Sequence, residues 1–413
     1  MTIHNRGKEL LPLVAFLLTV AIIAYSEAAF QAALDGLRIW WEVVFPALLP
    51  FFIMAQILMG MGVVHFFGTL LEPLMRPLFR VPGEGAFAMA MGLAAGYPLG
   101  AKITGDLCRK QICTTMEGER LVSFTNTADP LFMVGAVAVG FYGDARLGLT
   151  LSAAHYLACL AVGFCLRFHG HQQEKGLQEI RKREAYSSNI IIRSLQAQKK
   201  AYQQDGRSLG ELMGAAVKDG VNDLLLIGGF IILFSVFTSI LSSLGIVRLV
   251  SHIFAFLLHP TGLDQSLILP LFSGLFEITI GSNLASQSTA PLLQKMMITS
   301  GLIAWSGFSV HAQVAAMIKN TGIKMKPYLL ARVLHAMLAL FFTLILMAGF
   351  SPLSSLPLMP LPVVGIHSLQ LTLTYSSYLL LMVRKVLTLL FFLTTASLFI
   401  YLLGRLKLVL SWF

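Results

Sequence analysis

Apolar runs long enough to cross a bilayer recur along the chain, and polar residues gather in a few places between them. A helix needs about 20 predominantly apolar residues to span the hydrocarbon core. The first run, 10–25, follows Arg6 and Lys8. It reads as a signal anchor, because Tyr25-Ser26-Glu27 is a poor small-residue cleavage site. An amphipathic stretch at 28–42 follows and carries Trp40-Trp41, indoles suited to the boundary between lipid and water, so it is expected to lie flat or to cap a helix. Spans are predicted over 43–67, 147–168 and 224–244, with further apolar elements at 246–258, 267–280, 296–318 and 329–350. A Pro- and Leu-rich loop at 352–362 precedes a final span at 386–403.

Two stretches break this pattern. Residues 82–105 are apolar but hold glycines at 83, 85, 92, 96, 100 and 105, with Pro82 and Pro98. Residues 115–130 are polar, and the apolar piece after them, 131–142, is too short to span alone. Irregular backbone survives at membrane depth only when buried in protein or lining a cavity. Both stretches therefore read as broken or re-entrant helices.

The obviously soluble segment is 169–207, where Lys175, Arg181, Lys182, Arg183, Arg193, Lys199, Lys200 and Arg207 outnumber Glu174, Glu179, Glu184 and Asp205. The positive-inside bias places it in the cytoplasm, and Arg405 and Lys407 after the last span place both termini there as well. The organisation expected is an anchor and interfacial helix (1–42), a first repeat (43–168), the basic loop (169–207), a second repeat (208–350) and a C-terminal loop with its span (351–413).

The repeat rests on three pairings: Gly62-Val63-Val64 with Gly245-Ile246-Val247, Pro77 with Pro260, and Gly92-Leu93 with Gly274-Leu275 after a one-residue gap. Each half then enters an interrupted polar segment, Gly96 to Lys102 in the first and Glu277 to Asn283 in the second. Paired interruptions in two halves point to a transporter's midplane site, where broken ends expose helix dipoles and free backbone groups. The fold class expected is an all-α polytopic membrane protein of two related halves, transporter-like, with an inverted repeat.

Composition agrees. Of 413 residues, 56% are hydrophobic and 12% charged, against about a quarter charged in soluble domains. The net charge of +10 would suit nucleic acid, but the basic residues sit in loops between apolar runs, which the membrane bias explains more simply. Four cysteines without a Cys-x-x-Cys pair suggest packing residues, with no disulfide framework and no metal site.

Ionisable groups inside apolar segments are costly and mark function by default. One cluster holds Gly96, Tyr97, Lys102 and Asp106, then Ser123, Thr125, Asn126, Thr127 and Asp129; the other holds Glu277, Thr279, Ser282 and Asn283, then Trp305, Ser306, Ser309, His311 and Gln313. The plainer readings are a local Lys102–Asp106 ion pair, an Asp129 helix cap before Pro130 and a packed His311. Glu277, between Phe276 and Ile278, needs a cation, a proton or a basic partner. His155 and His335 read as structural. No His-Glu-x-x-His, P-loop or Gly-x-Ser-x-Gly elbow is present, so an enzyme is not expected and no cofactor is implied.

The runs Trp40 to Phe52, Leu71 to Phe79, Gly96-Tyr97-Pro98, Ser123 to Pro130 and His155-Tyr156-Leu157 resemble the YlbJ-type sporulation integral membrane proteins of endospore-forming Firmicutes, over roughly 28–350. That family carries nucleoside-recognition (gate) domains and is similar to concentrative nucleoside transporters. The resemblance implies a transporter in the outer forespore membrane that moves dipicolinic acid from the mother cell toward the forespore. For such an anion, Lys102, His311 and helix N-termini could supply charge, and Trp305 or Tyr97 could stack on the ring. Glu277 or Asp129 could bind a coupling proton or sodium. A homo-oligomer, transport of nucleosides or another small solute, and a nontransporting scaffold docked through the basic loop stay open.

Overall fold

The computed structural model of the chain describes residues 3–170, 189–250, 254 and 262–349, and among these every regular element is helical. The chain is an all-α polytopic membrane protein. Helices α1 (Ile3–Ala24) and α2 (Ser26–Ile39) meet at 100°, which swings the amphipathic stretch off the line of the first span. Trp41 stays exposed, but Trp40 does not. Its Nε1 donates to the Leu224 carbonyl at 2.9 Å, and its ring lies over Gly228, where a Cβ would come within 2.5 Å of the indole. Trp40 is thus an internal anchor rather than an interfacial one.

The single span expected at 43–67 is two helices. α3 (Phe45–Gly60) stops before Gly62, whose φ of 73° only glycine adopts without strain, and the chain bends by 80° into α4 (Val63–Phe79). α4 buries Val64, Gly68, Leu71, Met75 and Phe79, the one-faced spacing of an amphipathic helix lying against a body. Next come α5 (Gly85–Ala95) and α6 (Leu99–Arg109), separated by Gly96-Tyr97-Pro98. α7 (Thr115–Thr125) opens on a capping box between Thr114 and Glu117. It stops at Asn126, and helix resumes beyond Pro130 as a π-helical segment, Leu131–Phe141. α8 (Ala145–Leu166) is long and apolar enough to cross a membrane.

Part of the basic loop is structured. α9 (Ile190–Asp205) packs on α4, so this stretch is a docked helix rather than a free segment. α10 (Leu209–Ser243) begins at a Ser208/Glu211 capping box, runs for 35 residues and absorbs the amphipathic re-entry around Lys218 and Asp223. After a 3-10 turn (Gln265–Leu267) the chain forms α11 (Ile268–Phe276), α12 (Ile278–Gln287), α13 (Leu292–Trp305), α14 (Gly307–Met317) and α15 (Met325–Gly349). The elements expected at 267–280 and 296–318 are therefore each interrupted, at Glu277 and at Ser306. The proline-rich loop, the final span and most of 246–258 lie outside the described residues.

The two halves follow one plan. Gly62 and Gly245 both take the left-handed conformation at the end of a helix, with φ of 73° and 71°. In each half a pair of short helices, a helix interrupted once and a long closing helix then follow in the same order. Packing is exchanged between halves as a two-fold relation requires: α7 meets α15 while α13 meets α8, α6 meets α14 while α12 meets Leu131–Phe141, and α8 meets α15. His155 and His335, equally far into α8 and α15, touch each other with ring centroids 4.5 Å apart.

Candidate functional site

The four interruptions are positioned by glycine. α5 and α6 fold back on each other around Gly96, whose φ is 79°, and Gly92 and Gly100 face the same carbonyl of Thr125 at the end of α7. A Cβ at either glycine would fall within 2.0 Å of that oxygen. α11 and α12 form the matching hairpin, with Gly281 so close to Gly274 that a Cβ would stand 2.3 Å from its Cα. Each hairpin tip thus lies against the gap in an interrupted helix: Thr125 for the first, and Gly307 beside the Phe276 carbonyl for the second.

Where these elements meet there is a cavity of about 470 Å³, within the size range of small-molecule sites. Tyr97 and Glu277 to Ile280 come from the hairpin tips; Asp129, Phe132, Ser309 and Gln313 come from the segments that resume after the gaps; Phe51, Ile231 and Ser235 come from α3 and α10. Its two carboxylates have the same local job. Asp129 Oδ1 accepts the Phe132 N–H at 2.9 Å, and Glu277 Oε2 accepts the Ile280 N–H at 2.8 Å, so each caps the N-terminus of a short helix and sits in its positive dipole end. No Lys, Arg or His lines the cavity among the described residues.

Of the residues singled out in the sequence, Tyr97, Asp129, Glu277, Thr279, Ser309 and Gln313 are brought together here, and Gly96 backs onto Asp129 at the first tip. The others lie elsewhere. Lys102, expected to meet an anion, pairs instead with Asp223 at 3.0 Å and Asp106 at 3.6 Å, joining the first hairpin to α10. His311 meets the Tyr328 hydroxyl at 3.3 Å, and Trp305 donates to the Leu275 carbonyl at 3.1 Å while placing its ring 4.5 Å from His311. Asn126 donates to the Tyr328 hydroxyl at 3.0 Å, and Thr127 to the Gly92 carbonyl at 3.1 Å. Asn283 accepts from Gln287 on its own helix. These residues hold the interruptions open from outside the cavity.

The Lys102 geometry carries a prediction. Lys102→Ala leaves Asp223 and Asp106 mostly buried beside a lost cation and is expected to cost about 2–3 kcal/mol, while Lys102→Met with Asp223→Leu recovers most of it. Thermal unfolding of the purified variants measures both. Unchanged stability together with lost substrate binding in Lys102→Ala would return the residue to the role of anion partner.

Sequence reading overlooked Arg332 and Tyr328, both fully buried on α15. Arg332 donates to the carbonyls of Asn126, at 2.9 Å, and Ser123. His155 Nε2 takes the Ala128 N–H at 3.1 Å, and His335 Nε2 donates to the His155 carbonyl at 3.0 Å. In sequence Arg332 stands in the apolar run 329–350, shortly after Lys324 and Lys326, with no carboxylate near it along the chain.

A family model described as Gate, nucleoside recognition, matches residues 41–165 and 224–324, which together exceed half of the chain. Sporulation integral membrane protein YlbJ of Bacillus subtilis (strain 168) is 46% identical over 329 residues, 80% of this chain and 80% of that protein.

Proposed function

The chain belongs to the Gate, nucleoside recognition, family and to the YlbJ-type sporulation integral membrane proteins, and from that membership and the cavity geometry we propose that it is a membrane transporter for a small solute. One observation carries the reading: two hairpin tips and two interrupted helices converge on one cavity whose largely apolar lining includes Asp129, Glu277, Thr279, Ser309 and Gln313. A scaffold has no need of four helix breaks at one place. A transporter does, because opposed gaps can open the cavity to either side as the two halves rock, in the manner of an inverted repeat.

Dipicolinic acid, carried from mother cell toward forespore across the outer forespore membrane, is the substrate proposed. The name of the Bacillus subtilis relative, a sporulation integral membrane protein, supports it, and Tyr97, Phe132 and Phe51 line the cavity with rings for a planar solute. The cavity's charge restricts how it binds. Two carboxylates and no cation would repel a dianion, so the acid enters protonated or together with a cation held by Asp129 or Glu277. These two residues are thus assigned to coupling and Tyr97, Ser309 and Gln313 to the solute. The absence of a lining cation also favours a second reading, a neutral heterocycle such as a nucleoside, in keeping with the family's description.

The test is dipicolinate partition in a sporulating deletion strain complemented with this chain, with uptake into vesicles measured against excess nucleoside. Dipicolinate stranded in the mother cell on deletion, restored by the chain and unaffected by nucleosides, is the expected result. Normal spore dipicolinate without the chain, or full competition by purine nucleosides, would shift the assignment to the second reading.

A further inference from the structure

We infer that Arg332 is a resident cation seated in the carbonyl groups of the first interrupted helix, so that transport uses no bound metal cation at that place; this rests on the transporter reading. The starting point is what breaking a helix does. α7 ends at Thr125, and the interruption over 126–130 removes the amides that would have capped its last carbonyls. Those oxygens form the negative end of the helix dipole, and interrupted helices in transporters characteristically offer them to sodium or a proton.

Here the carbonyls of Ser123, Phe124 and Asn126 already have partners. Arg332 is fully buried, and its two terminal nitrogens donate to the carbonyls of Asn126 and Ser123. The Phe124 carbonyl accepts from Cys159 Sγ at 2.8 Å, and that of Ala128 from the Tyr156 hydroxyl at 3.2 Å. Arg332 has no carboxylate partner among the described residues, and its hydrogen bonds there go to carbonyl oxygens, the ligands a bare cation would take. The second half is built otherwise. At the end of α13 the Ile303 carbonyl accepts from the Tyr97 hydroxyl at 2.7 Å and that of Trp305 from Ser306, all neutral donors.

The guanidinium also lies 5.5 Å from the centroid of Tyr328, whose hydroxyl meets both Asn126 and His311. One turn of α15 therefore ties the gap of the first half to the helix that resumes after the gap of the second. A fixed cation there sets the geometry of the interruption through every step of the cycle. Coupling, where it occurs, is left to Asp129 and Glu277 in the cavity. Arg332 is in this sense a positioning residue.

The full chain in proteoliposomes and in detergent tests this through two readouts, uptake of labelled dipicolinate and thermal midpoint, each in sodium chloride and in choline chloride. The wild type is the reference, because any sodium response it shows belongs to Asp129 and Glu277 in the cavity. Arg332→Gln is expected to lose about tenfold or more of its uptake relative to the wild type in choline, since two carbonyls lose a charged donor. Sodium should then raise its thermal midpoint by more than it raises that of the wild type and restore part of the uptake. Arg332→Lys keeps a cation and should respond to sodium no more than the wild type. A larger sodium response of Arg332→Lys than of the wild type overturns the inference, as does an Arg332→Gln protein that responds no more than the wild type. Should Arg332→Gln not be recoverable, the comparison of Arg332→Lys with the wild type decides alone. A wild type without dipicolinate uptake would count against the transporter reading, while the thermal midpoints would still decide the role of Arg332.

Discussion

Replacing Glu277 by glutamine is expected to stop transport while leaving the folded protein in the membrane. The carboxylate caps α12 through the Ile280 N–H, and a glutamine oxygen can accept the same bond. The helix start therefore survives, with a stability loss of about 1 kcal/mol or less from the missing charge at the dipole. What glutamine cannot do is take up or release a proton, or hold a cation against a bound anion. Uptake should fall by about tenfold or more, the consequence of removing one of two ionisable groups from an apolar cavity. Asp129→Asn should behave alike, because Asp129 caps Leu131–Phe141 through the Phe132 N–H in the same way. Uptake by Glu277→Gln at the wild-type rate, with normal abundance, would remove Glu277 from the coupling step and reduce it to a helix cap.

The two carboxylates differ in what surrounds them, and this bears on the direction of coupling. Asp129 lies beneath Gly96, the first hairpin tip, where a Cβ would stand 2.5 Å from its Oδ2. Glu277 is itself the tip of the second hairpin. A charge change at Asp129 therefore acts on the first hairpin through contact, whereas one at Glu277 acts on the second from within. If the halves are inverted relative to each other, the hairpins guard opposite sides, and loading at one carboxylate favours opening at the other. Asp129→Asn and Glu277→Gln would then arrest the protein in opposite states, separable by cysteine accessibility from either face.

Much of this architecture was legible in the sequence, and the exceptions have physical causes. Gly62 and Gly245, Gly92 and Gly274 announced the repeat because glycine marks places where the backbone turns left-handed or another chain segment comes close. The first interruption was visible for the same reason, in Gly96, Pro98 and the polar run before Pro130. The break at Glu277 was visible as the polar segment that runs from it to Asn283, but that at Ser306 was not, because Ala304-Trp305-Ser306 contains no proline and keeps the apolar density of an ordinary span. Ser306 takes a φ of 71°, which no local rule assigns to serine. The Lys102–Asp223 pair was not legible because the two residues lie in different halves of the sequence, and Arg332 was overlooked because its partners are backbone oxygens that leave no trace in side-chain identity.

Gly92→Val is expected to be the most damaging single change to the fold. The Gly92 Cα faces the Thr125 carbonyl so closely that a Cβ would stand 1.9 Å from the oxygen, and Gly100 leaves no escape because its own Cβ position lies 2.0 Å from the same atom. The obstacle is backbone, not a side chain that can rotate away, so the hairpin must withdraw. Overpacking of this kind costs about 1–3 kcal/mol for one methyl group and more for a branched side chain. Withdrawal would also break the Thr127 hydroxyl's bond to the Gly92 carbonyl and open the tip that carries Tyr97. Gly92→Ala should lower the thermal midpoint clearly and Gly92→Val should prevent accumulation in the membrane. Gly281→Ala, facing the Gly274 backbone at 2.3 Å, should match Gly92→Ala if the two hairpins are true equivalents. Gly214→Ala, with nothing within 4 Å on the exposed face of α10, serves as the neutral control. Stability unchanged by Gly92→Ala would mean that the hairpin does not rest on the gap of α7, and the cavity between them would lose its first wall.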